Sequence, residues 1–400
     1  MALIAAFLGW MFDGLEQGVF PLVGRPALQD LMRAEGDQSI ALWMGYITAA
    51  FLVGAASGGL LFGWLGDRLG RVRAMMLSIL AYSLFTGCSY FAQAPWQLGL
   101  FRFLAGLGMG GEWSLGVALV MECWPERHRP LLAAAIGAAS NIGFGLLGAL
   151  GILFPVARGS WRWVMLAGTA PALLTLFIAW CVPESERWRE SVKARHSTPL
   201  REVFAPALRR RTLLAISFAA IALVGTWGSV QWLPFWADQL THARLHNAKG
   251  LTQLLTATGA VIGCFIGPWI GARIGRRPAY FILCLVSLVS CGVLFRGVRA
   301  YDGTFLGLTL LVGAATAAFY GWFPLYLPEL FPTRARATGQ GLCYNAGRIL
   351  AAVGTLEMGH KVQAYQGNYA RAGAVITLVY ALGLVLIWLA PETKGKPLPQ

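Results

Sequence analysis

The chain has 400 residues, of which 57% are hydrophobic and only 12% charged, about half the ~25% charged share of soluble proteins. A soluble enzyme needs a charged shell, so that class is excluded. Lys and Arg outnumber Asp and Glu by 32 to 18, giving a net charge of +14, but the charges sit in short clusters between long apolar runs and do not form the basic surface of a nucleic-acid binder.

In chain order, the apolar runs predict twelve helical spans at roughly 2–24, 42–65, 74–92, 97–122, 131–154, 162–182, 212–237, 251–271, 279–296, 304–327, 338–358 and 372–390, each near the ~20 residues that cross a bilayer. The expected fold is an all-α membrane protein of twelve transmembrane helices in two parallel six-helix repeats. The first run lacks a basic n-region and is interrupted by Asp13 and Glu16, so it is read as a span and not as a cleavable signal. It starts at Met1, and any cytoplasmic tail is expected to be very short or trimmed from this sequence. The long polar stretch 183–211 divides the chain into a six-helix bundle at 1–190, a cytoplasmic linker at 191–211 and a second bundle at 212–400. Twenty Lys and Arg fall in loops on one side and ten on the other, with Arg102 and Arg348 inside spans. The excess of basic residues marks the cytoplasmic side, so both termini are expected to be cytoplasmic in a multi-pass cell-membrane protein.

The halves repeat each other. Gly54, Gly58, Gly66 and Gly70 match Gly259, Gly263, Gly271 and Gly275 at a shift of 205, and Arg68 and Arg71 match Arg273 and Arg276. Glu122, Pro125, Arg127 and Arg129 match Glu329, Pro332, Arg334 and Arg336 at a shift of 207, and Pro183-Glu184-Ser185 matches Pro391-Glu392-Thr393 at 208. Parallel repeats with a central site are the plan of secondary transporters. Glycines at steps of four share one helix face and let a neighbouring backbone approach closely.

These residues carry a family likeness. Gly63-Trp-Leu-Gly-Asp67-Arg68-Leu-Gly70-Arg71 resembles the loop 2–3 signature of the major facilitator superfamily. Arg102-x3-Gly106-x-Gly108-x-Gly110-Gly111-Glu112 resembles its metabolite–proton symporter branch and the sialic-acid and sugar porter-like relatives, and Pro183-Glu-Ser-Glu-Arg-Trp188 and Pro391-Glu-Thr-Lys-Gly395 resemble the sugar-porter motifs after spans six and twelve. The likeness implies a transporter that alternates between outward and inward openings. It implies that Asp67 meets the cytoplasmic end of span eleven and latches the outward-open state; the second copy has Ala272 there, so the latch is expected to be one-sided. Arg68, Arg71, Glu122, Arg129, Glu184 and Arg187 in the first half, and Arg273, Arg276, Glu329 and Arg336 in the second, are assigned to the same conformational latch.

Ionisable groups inside spans cost roughly 2.5–3.5 kcal/mol each on insertion scales, so each is a functional candidate. Asp13, Glu16 and Gln17 share one face of span one by their spacing. Asp13 is near mid-span and needs a cation; Arg102 is the nearest candidate, and the resemblance implies the same pairing in proton-coupled members. Asp13 is therefore expected to carry the proton and Arg102 to tune it. Glu112 lies ten residues from Arg102, about 15 Å along the helix, too far for a direct bond; it stays open as a second proton site, a substrate ligand or the partner of another arginine. Arg348, near mid-span with Asn345 on the same helix, is either a bidentate handle for a substrate carboxylate or a counter-ion to Glu16 or Glu112. Trp227 and Gln231, four apart on span seven, join Glu16, Gln17, Asn141, Tyr320 and Asn345 as candidate cavity lining.

No HExxH, Cys/His cluster or Walker motif occurs, and no cofactor or metal is expected. The seven cysteines include no CxxC pair and read as small buried hydrophobes. The sequence thus points to proton-coupled symport of a small organic solute, a carboxylate-bearing metabolite before all others, by a protein expected to act as a monomer. The rivals are a sugar or polyol porter, weakened because the sugar-porter glutamines of span seven are missing, an exporter, and a non-transporting sensor, which the short tail ending at Gln400 disfavours.

Overall fold

The computed structural model describes residues 2–33, 37–123, 129–182, 184, 202–242, 244–332, 336–396 and 399. Every predicted apolar run is helical, as one helix or as two in succession, since a helix satisfies its own backbone groups. The first half has α1 (Ala2–Met32), α2 (Asp37–Leu69), α3 (Arg71–Cys88), α4 (Pro95–Cys123) and α5 (Arg129–Leu153). Its sixth span is split into α6 (Trp161–Ala167) and α7 (Ala172–Cys181), with Pro171 at the junction. In the second half, α8 (Pro206–Gly228) starts six residues before the span predicted from 212, and a 3-10 turn at Val230–Trp232 separates it from α9 (Leu233–Leu240). Then come α10 (Ala248–Ile274), α11 (Arg276–Gly297), α12 (Gly303–Leu330), α13 (Arg336–Ala364), α14 (Tyr369–Ile376) and α15 (Val379–Leu386).

Among the described residues, eight helical stretches are long and apolar enough to cross a membrane. α1, α4, α5 and α13 are further long helices among the described residues, and α1, α4 and α13 carry the buried charges. The side on which α1 starts and α2 ends is called the near face, and the side of the α1–α2 and α11–α12 connections the far face.

The internal repeat is physical. Side chains at Gly54 and Gly58 of α2 would strike the α4 carbonyls of Phe103 and Leu107. Gly259, Gly263 and Gly267 of α10 stand the same way against Leu310, Ala314 and Ala318 of α12. The glycine stripe is what lets these backbones touch.

The halves meet where α2 runs along α13 and α5 along α10. Toward the far face the seam is tight: Gly45 lies against Gly359 and Gly148 against Gly250. Arg25 of α1 binds Asp238 of α9 at 2.7 Å, with Lys249 of α10 at 3.7 Å from the same carboxylate. The Gln253 amide donates across the seam to the carbonyl of Phe144 at 2.9 Å. Toward the near face the helices part, and a side chain at Gly63 or Gly341 would meet open space. Among the described residues, the contacts between the halves are thus concentrated toward the far face.

Candidate functional site

The interior of the first half holds a polar column between α1, α3 and α4. Asp13, Glu16, Arg102 and Glu112 are all almost fully buried there. The structure corrects the expected Asp13–Arg102 pair. Arg102 makes its ion pair with Glu16, which also accepts from the Thr86 hydroxyl at 2.8 Å, while a second Arg102 nitrogen reaches the Glu16 carbonyl at 3.4 Å. The reason is axial. Glu16 lies about 4.5 Å further along α1 toward the far face than Asp13, and Arg102 enters α4 from that end. The Phe51 ring, 4.5 Å from the guanidinium, covers the pair.

Asp13 and Glu112 are left without hydrogen-bond partners among the described residues. Glu112 points at Gly9, one turn before Asp13, with an oxygen 2.6 Å from where a Gly9 side chain would start. Ser78 is beside it, but its hydroxyl donates to the Gly108 carbonyl at 2.6 Å. The Tyr82 hydroxyl is buried in the field of Glu112, Asp13 and Glu16 without a partner. Sequence reasoning missed this α3 contribution, although Ser78, Tyr82 and Thr86 at steps of four form a readable polar stripe.

Across the seam stands Arg348. Asn345 accepts from it at 3.4 Å, and the Tyr344 ring lies 5.0 Å from its guanidinium. It is the cation whose field reaches Asp13, yet no ion pair joins the two among the described residues. Tyr320 of α12 neighbours Tyr344 and Arg348. Asn345 also touches Gly59 of α2, where a side chain would start 2.5 Å from its amide. Gln17, Trp227 and Gln231 lie together, with Arg102, Phe51 and Trp232, around a pocket of about 20 Å³ toward the far face, room for one water. The pocket abuts the break in the seventh span, where Ser229 leaves helical geometry and Pro234 restarts it. Asn141 lies elsewhere on the seam, donating to the Gly137 carbonyl at 3.0 Å and to the Cys264 sulfur at 3.5 Å.

On the near face, the two copies of the Pro-Glu-Ser/Thr motif cap helices. Glu184 accepts from the backbone N–H of Arg71 at 2.8 Å, at the start of α3; Glu392 accepts from those of Arg276 and Arg277 at 2.9 and 3.0 Å, at the start of α11. The glycines ahead, Gly70 and Gly275, both have φ 107°, a conformation that side-chain-bearing residues avoid. Arg276 grips Glu329 through two nitrogens, at 2.9 and 2.6 Å. Each of these contacts lies within one half. Arg68 and Arg273 depart from the expected latch: each stacks on a tryptophan of its own helix, Trp64 at 4.2 Å and Trp269 at 4.4 Å. Arg68 lies nine residues after Gly59, which turns it away from the seam. Arg187 and the side chains of Asp67, Glu122, Arg129 and Arg336 lie outside the described residues.

Burial alone would raise the Glu392 carboxyl, but the backbone N–H groups of Arg276, Arg277, Lys394 and Thr393 that donate to it bring it below its ordinary value. A carboxyl held low in the folded state stabilises above its unfolded pKa, ~4.3 for Glu, and that contribution is lost as pH falls through the folded value. Glu392→Gln is therefore expected to lower the thermal midpoint of the purified protein at neutral pH, by an amount that shrinks below about pH 4. An equal drop at both ends of the range would show that the charge on this cap is irrelevant.

The Major Facilitator Superfamily model matches residues 2–355. A metabolite transport protein of Haemophilus influenzae is 32% identical, over 99% of this chain and 97% of that one. The sialic acid transporter of Escherichia coli is 28% identical, over 86% of this chain and 83% of its own. The crystal structure of a D-xylose–proton symporter superposes with a TM-score of 0.78 at 18% identity, covering 99% of each chain, which speaks for the fold. A glycine-packed double repeat, a buried polar column facing a buried arginine of the other half and these similarities together make the chain a member of the Major Facilitator Superfamily, a multi-pass membrane transporter of small molecules and not an enzyme.

Proposed function

We propose that the protein is a proton-coupled symporter of a carboxylate-bearing metabolite, with both termini cytoplasmic and the near-face opening leading inward. The observation that carries this reading is the pair formed by Asp13 and Arg348, a buried carboxyl with no hydrogen-bond donor facing a buried cation across the seam. A buried charge needs compensation, and Arg348 is where it can come from. The same guanidinium is suited to grip a substrate carboxylate. It cannot serve both anions fully, so a proton on Asp13 frees Arg348 for substrate, and release of the substrate returns Arg348 to Asp13. Coupling then follows from competition for one cation. Glu112, Tyr82 and the Glu16–Arg102 pair surround Asp13 and set its electrostatic frame, and Gln17, Trp227, Gln231, Tyr320 and Asn345 hold the rest of the solute.

The energetics agree. An inside-negative potential opposes entry of an anion by ~2.3 kcal/mol per 100 mV, and co-transport of a proton cancels that term. The relatives' names point the same way. Beside the sialic acid transporter, the gallate transporter of Pseudomonas putida and the cis,cis-muconate transport protein of Acinetobacter baylyi are each 26% identical to this chain, and all three solutes are carboxylic acids. A thermal-shift screen of the purified protein tests the reading, because a ligand raises stability by RT ln(1 + [L]/Kd). Organic acids are expected to stabilise it, by ~2.7 kcal/mol at a hundredfold excess over Kd. Stabilisation by neutral sugars alone would make it a sugar porter.

A further inference from the structure

On the far face, an open cleft of about 420 Å³ separates the end of α11 from the start of α14. Arg296, Arg299 and Arg371 line it with Asn368, and no carboxylate is among its walls. Arg296 donates to the Ala374 carbonyl at 3.2 Å, and Arg371 lies 4.5 Å over the Tyr365 ring, so both guanidinium groups are anchored. Asn368 accepts from the Arg371 backbone N–H at 2.9 Å and caps α14, turning that helix's positive end to the rim. Cations gathered without an acid repel one another unless an anion joins them.

Below the cleft, α11 and the α14–α15 pair carry exposed apolar side chains. Val289 and Val293 stand seven and three residues before Arg296 on α11, in line by helical spacing; Leu378 lies at the junction of α14 and α15, and Leu382 one turn further on, in α15. All four are 49–59% exposed. The first half shows that the cleft is no by-product of the fold. At the repeat shifts, Arg296 and Arg371 correspond to Phe91 and Trp163, and Tyr90 packs on both rings, with centroids at 5.1 and 5.6 Å. Aromatic rings occupy that place, as is common at a membrane interface.

We propose that the cleft binds the phosphate of an anionic phospholipid, whose acyl chains run along the Val289–Val293 and Leu378–Leu382 stripes. A soluble anion has no use for the stripes, and a neutral lipid has none for three arginines. In the orientation given above, the lipid sits in the outer leaflet. The test incubates the full-length, detergent-purified protein with phosphatidylglycerol or phosphatidylcholine of identical chains and counts retained lipid by native mass spectrometry. Phosphatidylglycerol is expected to be retained preferentially, by roughly fivefold for each arginine engaged. The double variant Arg296→Gln/Arg371→Gln should cut the preference roughly twenty-five-fold, to what Arg299 alone supplies. The single variant Arg299→Gln, on an exposed side chain, should reduce it and serves if the double variant does not fold. Equal retention of both lipids, an unchanged preference in the variants, or full displacement by soluble glycerol phosphate would overturn the proposal. Transport is not the readout, so failure here leaves the symport reading intact.

Discussion

Replacing Asp13 with Asn is expected to abolish proton-driven accumulation while leaving exchange of substrate across the membrane. Asparagine keeps the size of the side chain but cannot gain or lose a proton. Arg348 would then lack its buried anionic rival and stay available to substrate at every pH. Exchange needs the loaded carrier to reorient in both directions and involves no net proton movement, so it survives; uphill transport needs the two fluxes tied together and does not. In proteoliposomes, counterflow of labelled substrate should continue, while a pH gradient should no longer drive accumulation above the external concentration. Substrate affinity, which is expected to depend on pH in the wild type, should become flat. Undiminished uphill transport by Asp13→Asn would remove Asp13 from the coupling mechanism and leave Glu112, the other unpartnered buried carboxyl, as the group to test.

The second large effect is at Arg348. Hydrogen bonds to charged groups contribute about 1.5–3 kcal/mol each, so losing the guanidinium should weaken binding of a carboxylate solute by roughly tenfold to more than a hundredfold. A neutral analogue of the same shape should lose far less. Arg348→Lys keeps the charge without the planar fork and should fall between wild type and Arg348→Ala. Binding of each solute is read by calorimetry or thermal shift on purified protein. Equal losses for the acid and its neutral analogue would make Arg348 a structural cation, and the carboxylate preference would need another source.

Much of the architecture was legible because it rests on one-dimensional signals. Span lengths, the glycine steps at Gly54–Gly58 and Gly259–Gly263, and the repeated Pro-Glu motif each encode a contact that the fold makes at the same spacing. What failed was rotation about the helix axis. The depths of Asp13, Glu16 and Arg102 along their helices were readable, but which carboxylate faces the arginine depends on how α1 is turned against α4, and no count of residues supplies that angle. The same limit hid that Arg68 and Arg273, assigned to the latch, each lie over a tryptophan of their own helix. The break at Gly228–Trp232 was marked by Gly228 and Pro234, but the apolar run conceals it because hydrophobicity continues through the turn. Gln253 escaped notice for another reason: its work is done on the carbonyls of another helix, and backbone partners leave no mark in the pattern of side chains.

The knot of Arg25, Asp238 and Lys249 has a kinetic meaning. It ties α1 to α9 and α10 with one carboxylate between two cations, all nearly out of water. Any exposure of the centre on the far side has to untie it. Parting both cations from Asp238 would leave a buried carboxylate without its counter-charges, which is costly, so the far face resists opening. In the proposed symport cycle that cost falls on the step that reopens the far face, so loosening the knot is expected to change how often the protein cycles more than how firmly it holds its solute.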